Sequence, residues 1–275
     1  MAPVAIHRRA AGARLAHDVA PRRWVNALGV VLFFLAWHLA SVYIGDASTL
    51  AGPIKVIGAF MRMMREPFAG STLGGHVLAS LGRFASGFAL GGVIGLPLGL
   101  AMGWFQALDA AVGPAFNTLR FTAPIAWVPF AVLWFGTGFG GPVLIIFAGA
   151  FPACVIGAYG GAKLVDIKLV EAARMLGAGN LRILLEVILP SAIPAIVSAL
   201  RVAAGNAWQS LVGAELIVAS SGVAYIMVRG QMNRTIVVVL VGMLAIGLIG
   251  LVLEWVFGAL EKRIRLRLGS TVADR

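Results

Sequence analysis

The sequence predicts an all-α integral membrane protein of about six transmembrane helices, and three observations lead there. Of its 275 residues, 60% are hydrophobic and 12% charged, with a mean hydropathy of +0.94; soluble domains are apolar at little under half of their positions. Six segments, 24–44, 77–103, 109–135, 142–162, 191–215 and 235–257, approach or exceed the roughly 20 apolar residues that cross a bilayer core as helix. The net charge of +11 gathers in short stretches beside these runs, where orientation is decided, so it reads as topology and not as a nucleic-acid surface.

The elements follow in order. Residues 1–23 are rich in Ala and Arg without apolar period, which predicts a basic cytoplasmic tail. The run "WVNALGVVLFFLAWHLASVYI" exceeds the apolar core of a secretory signal and is taken as the first span. Arg8, Arg9, Arg14, Arg22 and Arg23 at one end, with Lys262, Arg263, Arg265 and Arg267 at the other, predict that both termini lie in the cytoplasm. Between the first two spans, Ile54, Ile57, Met61 and Met64 recur at helical spacing opposite Lys55, Arg62 and Arg65, predicting an amphipathic helix with Pro53 in its first turn.

The glycines of residues 81–103 point to close helix packing, and Pro97 to a kink. "TAPIAWVP" breaks the third span, and "GTGFGG" before Pro142 makes a tight turn outside the cytoplasm. That turn fits G-x-G-x-x-G in letters only. The run before it is a span and no acidic residue follows at the required distance, so a dinucleotide site is excluded. Cys154 sits alone in the fourth span as a packing residue. Residues 24–260 are expected to form the transmembrane domain, and 261–275 a second basic cytoplasmic tail.

Catalytic signatures are absent from the sequence. It contains no G-x-x-x-x-G-K-[ST], H-E-x-x-H, C-x-x-C or G-x-S-x-G, and His7, His17, His38 and His76 lack metal-ligand spacing. The chain itself is therefore expected to bind neither ATP nor metal. Counting spans from the N-terminus makes residues 163–190 a cytoplasmic loop. In it Asp166 caps a helix from about Ile167 to Leu176, Gly177 ends that helix with positive φ, Asn180 caps a second short helix, and Pro190 opens the fifth span. Lys168, Glu171 and Arg174 share one side of the first helix. Ala172 and Ala173 leave room for a partner to approach.

This loop, "EAARMLGAGNLRILLEVILPSAIPAI", resembles the EAA loop of permease subunits of binding-protein-dependent ABC importers, with Glu171, Ala172, Ala173, Gly177 and Pro190 at the family's spacing. "LGRFASGFALGGVIGLPLGLAMG", "IAWVPFAVLWFGTG", "ALRVAAGNAWQSLVGAEL" and "LEKRIR" are similar to the branch that carries nitrate, taurine and aliphatic sulfonates. Two features depart from it. Arg120, Phe121, Thr122, Ala123 and Pro124 stand where the branch has R-P-x-P-P, and Ala224 replaces a glycine in "GVAY".

The resemblance implies a type I importer permease fold with a cytoplasmic coupling helix, multi-pass in a bacterial cell (inner) membrane. It also implies a second copy of the chain, two cytoplasmic ATP-binding subunits that carry ATP and Mg, an extracytoplasmic solute-binding protein, surrounding membrane lipid and no nucleic acid. Coupling to the ATPase is assigned to Glu171, Ala172, Ala173, Arg174, Leu176 and Gly177. The substrate pathway is assigned to Arg120, Trp127, Asn206, Gln209 and Glu215. Arg83, Arg120 and Arg201 within or beside the spans, against Glu215, predict a positive pathway and a small anionic solute such as a sulfonate or nitrate. The alternative is a secondary transporter or channel, for which Glu215 and Glu254 are the available ion-coupling carboxylates.

Overall fold

The computed structural model describes residues 23–46 and 49–267; of the expected tail at residues 1–23 all but Arg23, where α1 begins, lies outside them, as do the last eight residues. The described chain is helical throughout: α1 (Arg23–Ile44), α2 (Pro53–Met63), α3 (Leu73–Trp104), α4 (Gln106–Leu119), a 3-10 turn (Pro124–Trp127), α5 (Val128–Phe135), α6 (Gly140–Lys163), α7 (Ile167–Met175), α8 (Asn180–Ile183), α9 (Leu189–Ile217), α10 (Val223–Met232) and α11 (Ile236–Arg267).

Four helical rods among the described residues are long and apolar enough to span a membrane: α3, α6, residues 180–217 and α11. The expected third span is not a single rod. α4 and the α5 segment meet at 90°: the last α-helical bond of α4 runs from Arg120 N–H to Phe116 O, Thr122 N–H closes only a tight turn on Leu119 O, and Pro124, without an N–H, starts a 3-10 turn. If this broken pair makes one crossing and α1 another, the total is six.

The centre of the bundle is a small-residue seam. Gly87, Gly91, Gly95, Gly99 and Gly103 of α3 face Ile146, Ala150, Cys154, Ala158 and Ala162 of α6, in a register with a constant offset, so the two helices run parallel. A Cβ at Gly87 or Gly103 would come within 2.6 Å of the facing Cβ. Only glycine permits this separation. α6 packs in turn against α9 in the antiparallel sense, Gly161 lying against Ala192 and Ala195.

The expected helix beginning at Pro53 is α2; its apolar residues Ile54, Ile57, Met61 and Met64 are exposed, while Val56, Ala59 and Met63 are buried against the core shared with α10 and α11. The sequence pattern marked the helix but not the face that packs, since in a membrane protein apolar side chains are also stable outside the protein. Two expectations need correction. The second short helix of the 163–190 loop is capped by Gly179 rather than by the Asn180 side chain, and it runs on without a break into the rod that contains Pro190. A π-turn (Leu184–Ile188) joins α8 to α9, with Leu189 N–H donating to Leu184 O, so the proline, which has no N–H to donate, is absorbed by widening one turn. The expected C-terminal tail also begins later, because α11 continues to Arg267.

Candidate functional site: a cavity at a broken helix and a capped loop helix

The break between α4 and α5 opens a polar cavity. Its volume is about 370 Å³, and Arg120, Thr122, Asn206, Gln209 and Ser210 are among its walls. Non-helical backbone at membrane depth is tolerated where it lines water or meets protein. Residues 119–123 are exposed in the single chain. Asn206 and Gln209 lie on the same exposed stripe of α9 as Val202 and Gly205. The sequence-assigned residues Arg120, Asn206 and Gln209 are thus brought together. Trp127 lines a neighbouring, more apolar cavity of about 240 Å³ that Arg120 also borders.

Glu215 is elsewhere. It is 1% exposed and its side chain closes a buried lock with Arg83, which is 4% exposed. Arg83 Nη1 donates to Glu215 Oε1 at 2.9 Å and to Ser221 O at 2.7 Å, while Arg83 Nη2 donates to Ser221 Oγ at 2.6 Å. Ser80 Oγ–H donates to Oε1 at 2.7 Å and accepts from Val223 N–H; Ala224 N–H donates to Oε2. Gly222 N–H donates to His76 Nδ1, which leaves Nε2–H of the same ring to donate to Phe68 O at 2.9 Å. The free N–H groups that begin α10 are thereby satisfied by side chains of α3 and α9. His76, Ser80 and Arg83 share one face of α3, and sequence spacing alone gave no sign that residues 221–224 close over them.

The expected excess of three arginines over one glutamate is corrected accordingly. Arg83 pairs with Glu215. Arg201 pairs with Glu254 and Glu261, and Glu261 also accepts from Ser198 and Arg265. Arg120 alone of the three borders the polar cavity, with its guanidinium carbon 4.6 Å from the centre of the Phe121 ring. Glu215 and Glu254 are both engaged by arginine, so neither stands ready as the ion-coupling carboxylate of a secondary transporter.

At the far end of α6 lies the second feature. Asp166 caps α7 by accepting Lys168 N–H at 2.9 Å. The other terminus closes as a Schellman motif, with Ala178 N–H donating to Ala173 O at 3.0 Å, Gly177 N–H to Arg174 O at 2.9 Å, and Gly177 at φ +80°. Val170 and Ala173 anchor the helix in a core built from α3, α6 and α9. Arg174 lies 5.7 Å over the Trp104 ring at the end of α3, a cation–π contact absent from the sequence reading. Glu171 and Ala172 are exposed, and the tip residues Met175 and Leu176 are 83% and 89% exposed.

Residues 92–266 match the family of binding-protein-dependent transport system inner membrane components. The chain belongs to that family. It is 35% identical over 229 residues to a putative ABC transporter permease of Methanocaldococcus jannaschii, covering 83% of this chain and 84% of that protein. It is 32% identical over 235 residues to the taurine transport system permease of Escherichia coli, covering 85% and 86%. An inward-facing methionine ABC transporter shares the fold, with a TM-score of 0.59 at 20% identity over 70% of this chain and 95% of that one. This permease is therefore a multi-pass membrane component of a binding-protein-dependent importer with a type I permease fold. Within it α7 occupies the EAA loop.

Proposed function

We propose that the chain is the transmembrane subunit of an ATP-driven importer that moves a small solute bearing an anionic group, such as a sulfonate or nitrate, into the cytoplasm. The observation that carries this is α7: a helix capped at both ends, fixed to the bundle through Val170, and presenting Glu171, Met175 and Leu176 to an absent partner. An isolated nine-residue helix is marginal in water. Its caps and its anchor make it a stiff projection suited to a groove on a cytoplasmic ATP-binding subunit, where ATP and Mg reside.

In this reading two copies of the chain meet along the exposed α4–α5 break and the Asn206 and Gln209 stripe, since polar groups and open backbone at membrane depth require protein or water. Both termini and α7 face the cytoplasm, and the lock around Glu215 faces the side from which a binding protein delivers solute. ATP binding shifts the dimer between two states by differential affinity. Arg120, with Asn206, Gln209 and Trp127 nearby, lines the path. The taurine permease relative supports a solute with an anionic group.

The test is uptake and ATP hydrolysis by the complete complex in proteoliposomes. Replacing Glu171 and Gly177 together is expected to abolish uptake while the permease still inserts and the ATPases still turn over. Wild-type uptake by that variant would refute the coupling assignment.

A further inference from the structure

The surface of α2 divides into three stripes. Successive residues of a helix are turned by about 100°, which puts Val56, Ala59 and Met63 on one side, buried against α10 and α11. Ile54, Ile57, Met61 and Met64 form a second stripe, 75%, 54%, 59% and 48% exposed. Lys55, Arg62 and Arg65 form a third along its edge, and all three are exposed. The winding continues past Met63, since Arg65 N–H and Glu66 N–H both donate to Arg62 O, so Met64 and Arg65 keep the register.

Packing within the chain and topology leave both exposed stripes unexplained. Four large apolar side chains in line on a surface helix form a patch that calls for cover. Among the described residues Lys55, Arg62 and Arg65 have no carboxylate within ion-pair distance, unlike Arg83 and Arg201. α2 packs on Leu73, the first residue of α3, whereas α7 meets Trp104, the last, so the two helices stand at opposite ends of the bundle. With α7 in the cytoplasm, the three cations lie on the outer side, where the orientation rule does not gather Lys and Arg.

The pairing of the stripes selects the partner. A soluble protein that docks only to deliver solute would leave the Ile–Met stripe in water between visits. Lipid covers it at all times. A helix lying in the plane of the membrane interface puts such a stripe among acyl chains and an adjoining basic stripe at the phosphates, which long Lys and Arg side chains reach from below.

We propose that α2 is an interfacial helix that holds anionic phospholipid, with Ile54, Ile57, Met61 and Met64 against the acyl chains and Lys55, Arg62 and Arg65 on the headgroup phosphates. The choice of the outer leaflet rests on the orientation given above; the lipid contact itself does not.

The test reads the lipid next to α2. Met61→Cys permease is labelled with bimane before the ATP-binding subunits are added, Cys154 being buried and out of reach of the label. The complete complex is then reconstituted in phosphatidylcholine vesicles that contain, as a minor component in both leaflets, either brominated phosphatidylglycerol or brominated phosphatidylcholine. Both lipids are expected to quench the label, and the phosphatidylglycerol more strongly. Replacing Lys55→Gln, Arg62→Gln and Arg65→Gln together is expected to lower that preference about fivefold or more, since a single basic residue at an anionic surface contributes about 1 kcal/mol. Arg62→Lys with Arg65→Lys should keep it, which separates loss of charge from damage to the fold. Raising the salt from about 0.1 M to about 1 M should weaken it.

Equal quenching by the two lipids in the wild type, or a preference that survives the triple replacement, overturns the headgroup assignment. A label quenched by neither lipid overturns the interfacial helix. If that label were instead shielded from aqueous iodide when the binding protein is added, the surface would be a docking face for that protein. The vesicles present the same lipid on both sides, so a wrong orientation leaves these outcomes unchanged.

Discussion

Arg83 on α3 and Glu215 on α9, 132 residues apart in the chain, meet at 2.9 Å in a site from which solvent is almost wholly excluded. The pair does more than join two helices. Through Ser221, Val223 and Ala224 it fixes the start of α10 to α3. Removing one partner strands the other charge. Arg83→Met should therefore destabilise the detergent-solubilised protein by about 3–5 kcal/mol, and Arg83→Met with Glu215→Leu should recover a large part of that loss. Thermal unfolding of the single and double variants gives the coupling directly. Additive losses would show that the contact is not what holds this end of the bundle together.

Neighbouring glycines of α3 should behave in opposite ways. A Cβ at Gly91 would stand 2.8 Å from that of Ala150 and 3.2 Å from the backbone of Phe151, whereas one at Gly92 finds Leu200 at 3.9 Å. Gly91→Ala should cost about 1–3 kcal/mol by forcing α3 and α6 apart. Gly92→Ala should be neutral or stabilising through helix propensity. Equal unfolding temperatures for the two variants would contradict the register of the seam.

Gly177 is constrained by its backbone alone, since nothing lies within 4 Å of where its Cβ would be. At φ +80° a β-branched residue costs roughly 1–2 kcal/mol, and asparagine costs less. Gly177→Val should accelerate amide exchange across residues 167–178 and reduce uptake per ATP hydrolysed, and Gly177→Asn should do both to a smaller extent. If valine and asparagine proved indistinguishable from wild type in both measurements, the C-terminal cap of α7 would have no part in coupling.

The orientation given under the proposed function has a direct check. A reporter active only outside the cytoplasm, fused after Arg275, should give no signal, because the C-terminal Lys and Arg cluster is expected to stay inside. Strong activity there would reverse the assignment of the α7 end to the cytoplasm.

What could be read from the sequence was mostly what is decided within a few residues. The Asp166 cap and the positive φ of Gly177 depend on neighbours two to five positions away, and both were expected from the loop alone. The break near Pro124 was visible as prolines in an apolar run, although its angle depends on α6 and α9. Glu215 was assigned to the pathway because an ionisable group at membrane depth is usually functional; its partners on α3 and in residues 221–224 come together only in the folded chain. The packing face of α2 could not be read from the sequence for a related reason. Where lipid as well as protein accommodates apolar side chains, amphipathic spacing does not say which apolar face turns inward.

The parallel seam of α3 and α6 has a mechanical meaning. Two rods joined side by side along five successive turns bend far less than either alone, and close-packed interiors transmit strain instead of absorbing it. One end of this strut carries Trp104 beneath Arg174 of α7, and the other carries Arg83 beneath the start of α10. Under the coupling proposed for α7, a push delivered there would travel the length of the bundle with little loss to flexure, and the right-angled α4–α5 crossing, which lies outside the seam, would take up the displacement.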